Sequence, residues 1–178
     1  MNRLTRLFPI AACLVGAAFI FACSDDLAGP GTPQFAKADA WDTSTFTTCN
    51  PQPSASAKAW IGPNGGALRA GGHALFVPAG ALKTGTWITM QTPSDRINRV
   101  VFGPEGLVFN RKHQPHLVMT YSNCSVPPSA NQQIAYVDGS LHVLEMTSSH
   151  TDPVSLTVQG RIAHFSEYVL LSTYAVVY

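Results

Sequence analysis

Charge is scarce in this chain. Lys, Arg, Asp and Glu make up 12% of its 178 residues, about half the share usual in soluble domains. The formal net charge is +1, and apart from the pair Arg111-Lys112 the basic residues are scattered. Nucleic-acid binding calls for a basic stripe that displaces counterions from phosphates, so no nucleic-acid partner is expected. Phosphate-loop and calcium-loop motifs are absent, and no cysteine sits in a close pair, so no metal and no cofactor is implied. Amphipathic periods of the helical kind are also missing. The longest apolar stretch, residues 7–21, is broken by Pro9 and Gly16 and falls short of the ~20 residues that a comfortable membrane span needs.

That stretch has another meaning. Arg3 and Arg6 precede it, and the small residue Ala22 closes it before Cys23. A charged start, a short apolar run and a small residue before the cut describe a secretory signal peptide, residues 1–22. Ile20-Phe21-Ala22-Cys23 resembles a bacterial lipobox. The Cys23 thiol would accept a diacylglycerol, and cleavage would free its amine for a further acyl chain. Several chains anchor firmly where one anchors weakly, since each buried methylene contributes about 0.8 kcal/mol. The alternative is ordinary secretion, or a retained anchor, with Cys23 incidental. Residues 23–58 are rich in Ser, Asp, Gly, Pro, Thr and Ala, with Pro30, Pro33, Pro51 and Pro53 punctuating them. Such a segment buries too little surface to offset its ordering entropy and reads as a disordered, lipid-anchored tether. Trp41, Phe46 and Cys49 are exceptions that point to docking of its end on the domain that follows.

Four cysteines occur, at 13, 23, 49 and 124. Cys13 leaves with the signal peptide and Cys23 is the lipid candidate. Two remain in a compartment that permits oxidation, so a Cys49–Cys124 disulfide is the simple expectation, against two free thiols.

Residues 59–178 read as one all-β domain. Short apolar or alternating runs appear at 74–77, 86–92, 106–109, 116–121, 133–137, 141–146, 154–158, 162–165 and 168–177, separated by turn residues. Asp138-Gly139-Ser140 between two of them is a hairpin signal. Trp87, on an apolar strand, is expected in the core. Many short strands with Gly/Pro turns predict an antiparallel β-sandwich. An outer-membrane barrel is the competitor, because the tail ends on Tyr178. Membrane strands need about 9–11 residues, however, and most runs here are shorter.

Three motifs also carry a resemblance. Gly65-Gly66-Ala67-Leu68 with residues 74–82 (ALFVPAGAL), then Phe102-Gly103-Pro104-Glu105-Gly106-Leu107-Val108-Phe109, then His164-Phe165-Ser166-Glu167-Tyr168, resemble in order the motifs of the ZU-five domain family. The resemblance spans about residues 62–171. It implies a β-sandwich whose usual role is interaction rather than catalysis, found also in bacterial surface proteins. Some relatives cut themselves between Phe and Ser of the last motif. In this chain Ser166 Oγ would attack the Phe165 carbonyl, with His164 as general base, and water would cleave the ester. The structural alternative has His164 and Ser166 satisfying backbone groups where strands meet.

Other candidate chemistry is weaker. His113 and His116 lack a third zinc ligand nearby in sequence. Ser148-Ser149-His150-Thr151-Asp152 holds the residue types of a hydrolase triad, but triads are assembled in space, and the cluster reads as a loop. Trp60 and Trp87 could stack on a sugar ring. The expectation is therefore a non-enzymatic interaction or structural module in the cell envelope. It would be tied to a membrane through Cys23 and engage a protein or cell-wall polymer. Self-cleavage at Phe165–Ser166 and carbohydrate binding are the alternatives.

Overall fold

The computed structural model describes residues 46–127 and 130–174. The signal peptide, Cys23, Trp41 and residues 175–178 lie outside the described residues. Eleven strands are seen: β1 (Ala55–Ile61), β2 (Gly66–Ala70), β3 (His73–Val77), β4 (Thr86–Thr92), β5 (Arg99–Gly103), β6 (His116–Thr120), β7 (Ala130–Val137), β8 (Val143–Met146), β9 (Ser149–Asp152), β10 (Thr157–Arg161) and β11 (Glu167–Tyr174). They form two antiparallel sheets, one ordered β1-β4-β5-β11-β7-β8 and the other β2-β3-β6-β10-β9. No helix occurs among the described residues. The all-β sandwich is as expected.

Alternation builds the core. Ile88 and Met90 of β4, Val100 and Phe102 of β5, and Tyr168 and Leu170 of β11 point inward from the first sheet. Leu75, Leu117, Met119 and Val158 meet them from the second. Because side chains alternate along a strand, one inward row needs only every second residue to be apolar. Residues 168–171 break that rule, as all four are buried. A smaller cluster on the other face of the first sheet explains them. Val169 and Leu171 pack there with Ala135, Val137, Val143 and Phe46. A strand covered on both faces reads as a continuous apolar run.

Phe46 belongs to the stretch read as tether, and the folded unit takes that stretch in. Thr47 N–H donates to the Leu170 carbonyl at 2.8 Å, and Asn98 N–H to the Thr47 carbonyl at 3.1 Å. The buried Thr47 hydroxyl donates to Gln132 Oε1 at 2.5 Å, and Gln132 Nε2 donates to Ser172 Oγ at 3.0 Å. The Cys49–Cys124 disulfide forms, joining positions 75 apart in sequence. Strand β1 then begins at Ala55, inside the expected tether. Its inward residues are Ala55, Ala57 and Ala59, half-buried against the core, and the buried Ile61 at its end. Alanine contributes so little apolar signal that this strand looks like spacer.

Several expected strands move. Residues 106–109 form a turn and a single bridge, Val108 to His164, because Pro104 and Gly106 (φ 74°) hold the chain in a tight turn. Residues 162–165 are irregular for the same reason, lying across that turn. Residues 153–156 are a turn, with Val154 92% exposed, and the strand starts only at Thr157. Asp152 makes that turn: its Oδ1 accepts from Val154 N–H at 2.9 Å and its Oδ2 from Ser155 Oγ at 2.7 Å. Conversely, Ser149–Asp152 is strand β9 rather than loop, completing the second sheet beside β10. After Asp138, Leu141 takes φ 64°, so β8 starts at Val143.

One buried titratable group sets a pH dependence. His73 opens β3, is buried, and its Nδ1 accepts from Thr120 N–H at 3.1 Å. Burial lowers its pKa from 6.5 to about 4, because desolvation disfavours the imidazolium. The unfolded chain therefore binds this proton more readily than the folded one. Its contribution is fully present above pH 6.5 and is lost as pH falls toward 4. Over that window stability is expected to fall by up to about 3 kcal/mol on this account. In His73→Asn, where Oδ1 can take over the acceptor role, urea unfolding should show a flatter slope between pH 6.5 and 4. An unchanged slope would refute the assignment.

Candidate functional site

The motif His164-Phe165-Ser166 has, for the most part, a packing role in the fold. The segment 163–166 lies between β5 and the turn after it. Phe102 N–H donates to the Ser166 carbonyl at 3.0 Å, Gly106 N–H to the Phe165 carbonyl at 3.0 Å, and Phe165 N–H to the Leu107 carbonyl at 2.8 Å. The Phe165 ring is fully buried, stacked on Phe102 at 4.8 Å and edge-on to Phe109 at 4.8 Å. Tyr168 closes the corner, its hydroxyl donating to the His164 carbonyl at 2.7 Å. Burial, then Glu145 and Tyr136, raise the pKa of that hydroxyl, so it stays a donor.

His164 itself turns away from the core, its ring edge-on to Tyr136 at 4.7 Å. Both rings line a cleft of about 630 Å³. It opens where the inner face of the first sheet, at β7 and β8, runs past the second. Cross-strand register assembles it: Tyr136 opposite Tyr168 and Glu145, Arg161 opposite His116, Gln159 opposite His150. Three histidines far apart in sequence, His116, His150 and His164, thus meet in one cleft. No group of three His, Cys, Asp or Glu side chains among the described residues is arranged to hold a metal ion. His113 is not in the cleft and lies about 3.5 Å from where a Gly80 Cβ would stand. The alternation of β9 places Ser149 and His150 on opposite faces. The Ser149 hydroxyl accepts from Ile134 N–H at 3.0 Å, and Asp152 is held by the turn. Ser148, Ser149 and His150 all line the cleft, but Asp152 does not and is tied into the turn, so residues 148–152 do not assemble a triad.

The second surface corrects an expectation. Trp87 is not in the core: it is 54% exposed, and Trp60, its partner across β1 and β4, is 58% exposed. Trp87 shares its face with Thr89 and Gln91, whereas Ile88 and Met90 point inward. That parity was readable from the strand, but the richness of the run in apolar residues hid it. The two rings meet edge-on at 5.8 Å. Lys58 Nζ stands 5.1 Å from the Trp87 ring centroid, a cation–π contact. Gly85 makes room for Trp60, since a Cβ there would stand 2.6 Å from Trp60 Cζ2. The pair is thus held by packing, with Trp60 on the edge strand β1 and Trp87 on its neighbour β4.

No protein-family model matches the chain, and no curated protein matches it significantly.

Proposed function

We propose that this chain is a lipid-anchored cell-envelope protein whose β-sandwich, ZU-five-like in its motifs, is a non-enzymatic binding module. The Trp60–Trp87 pair is its contact face. The signal-peptide pattern and Cys23 support the anchor. The observation that carries the binding role is the exposure of two cross-strand tryptophans, 58% and 54%. Large apolar rings held in water by a rigid support form the kind of patch that marks interaction sites, where tryptophan is enriched. A cell-wall polymer is the partner favoured by the surroundings. Lys58, Thr89, Ser56 and Gln91 continue the Trp60–Trp87 row on the same face, and the rings could stack on sugars while these polar groups meet hydroxyls.

Two measurements test the two halves. Intact mass of protein purified from bacterial membranes should start at an acylated Cys23 and run to Tyr178. An unmodified start elsewhere would overturn the anchor, and a fragment ending at Phe165 would establish self-cleavage instead. Co-sedimentation with insoluble peptidoglycan should fall about tenfold in the Trp60→Ala, Trp87→Ala double variant, with its thermal unfolding little changed. Equal sedimentation of the two proteins would remove the contact face.

A further inference from the structure

We infer that the cleft at the β7–β8 edge is a second site, which takes a small acidic sugar. It lies at the other edge of the first sheet from Trp60, because the order runs from β1 to β8. Its volume, about 630 Å³, falls within the roughly 300–1,000 Å³ of small-molecule sites. Tyr136, half-buried with His164 edge-on to it, supplies a fixed aromatic wall of the kind that packs on the C–H face of a pyranose.

The polar rim is uncommitted. His116, Glu145, His150, Gln159 and Arg161 all line the cleft, and none of their side chains hydrogen-bonds another described side chain or backbone group. This contrasts with Arg99, which is fully engaged by Asp95 and Glu167. Arg161 is the one permanent cation among the described residues lining the cleft, and it has no carboxylate partner there. Its guanidinium fork suits a carboxylate. Glu145, an acceptor, suits sugar hydroxyls, and the amide and imidazole groups can serve either role. A single arginine is too little for a polyphosphate, and a wholly apolar ligand would leave these groups unpaired. A hydroxylated ring bearing one carboxylate matches both the charge and the wall.

The test uses the full-length protein in detergent and titrates digalacturonate calorimetrically, with lactose as the neutral control. Saturable binding of digalacturonate and at least tenfold weaker binding of lactose are expected. Arg161→Gln and Tyr136→Ala should each weaken digalacturonate binding about tenfold. Arg161 is exposed, so its replacement leaves the core intact, which thermal unfolding checks. The Trp60→Ala, Trp87→Ala double variant should bind digalacturonate normally, which separates this site from the proposed contact face. Absence of saturable binding, equal binding of lactose, or an Arg161→Gln protein that binds like the parent would each overturn the inference.

Discussion

Phe165→Ala is expected to cost about 4 kcal/mol of unfolding free energy, within the range for deleting a fully buried aromatic ring. The ring is enclosed by Phe102 on one face and Phe109 at its side, with Phe102 in turn edge-on to Tyr168 at 6.1 Å. These neighbours belong to β5, to the turn after it and to β11, which are held by backbone hydrogen bonds and cannot collapse into the space. The loss is therefore the transfer term plus most of a cavity term. Urea unfolding followed by tyrosine and tryptophan fluorescence measures it. A cost below about 1.5 kcal/mol, the level of tolerated core swaps, would mean that the aromatic cluster is not the hub of the corner. Ser166→Ala at the adjacent position should leave stability within about 0.5 kcal/mol of the parent. Together the two variants separate the packing role of the motif from any chemistry at the serine.

Removing the Cys49–Cys124 disulfide is expected to have a similar effect, about 4 kcal/mol on the chain-entropy account for ends 75 residues apart. The bridge closes a loop that includes β1 to β6. It also holds the stretch that carries Phe46 and Thr47 against β7 and β11. In Cys49→Ser, Cys124→Ser the Phe46 segment keeps its hydrogen bonds but loses its covalent end point. Thermal unfolding of the double variant against the oxidised parent is the measurement. A drop well under 1 kcal/mol would show that the Phe46 segment is held by packing and hydrogen bonds alone.

Some of this was legible in the residues. The pairing of Cys49 with Cys124 followed from counting, once Cys13 and Cys23 had other expected fates. Strands β3, β4 and β6 were legible because their inward residues are large and apolar: Leu75, Ile88, Met90, Leu117 and Met119. Strand β1 was not, because its inward residues are alanines until Ile61 at its end. Nor was β9, Ser-His-Thr-Asp, whose polar residues are held in the sheet by pairing with β10 rather than by their own burial. Residues 154–158 alternate like a strand, yet the Asp152 side chain caps a turn there.

Local pattern determined the class of fold and the disulfide, because alternation, turn residues and cysteine number act over a few residues or by simple count. That Trp60 and Trp87 stand side by side, how Phe46 covers the first sheet, and that His116, His150 and His164 share a cleft were decided only by tertiary structure. Those outcomes depend on the register between strands that are distant in sequence. A shift of one residue there moves every side chain to the other face.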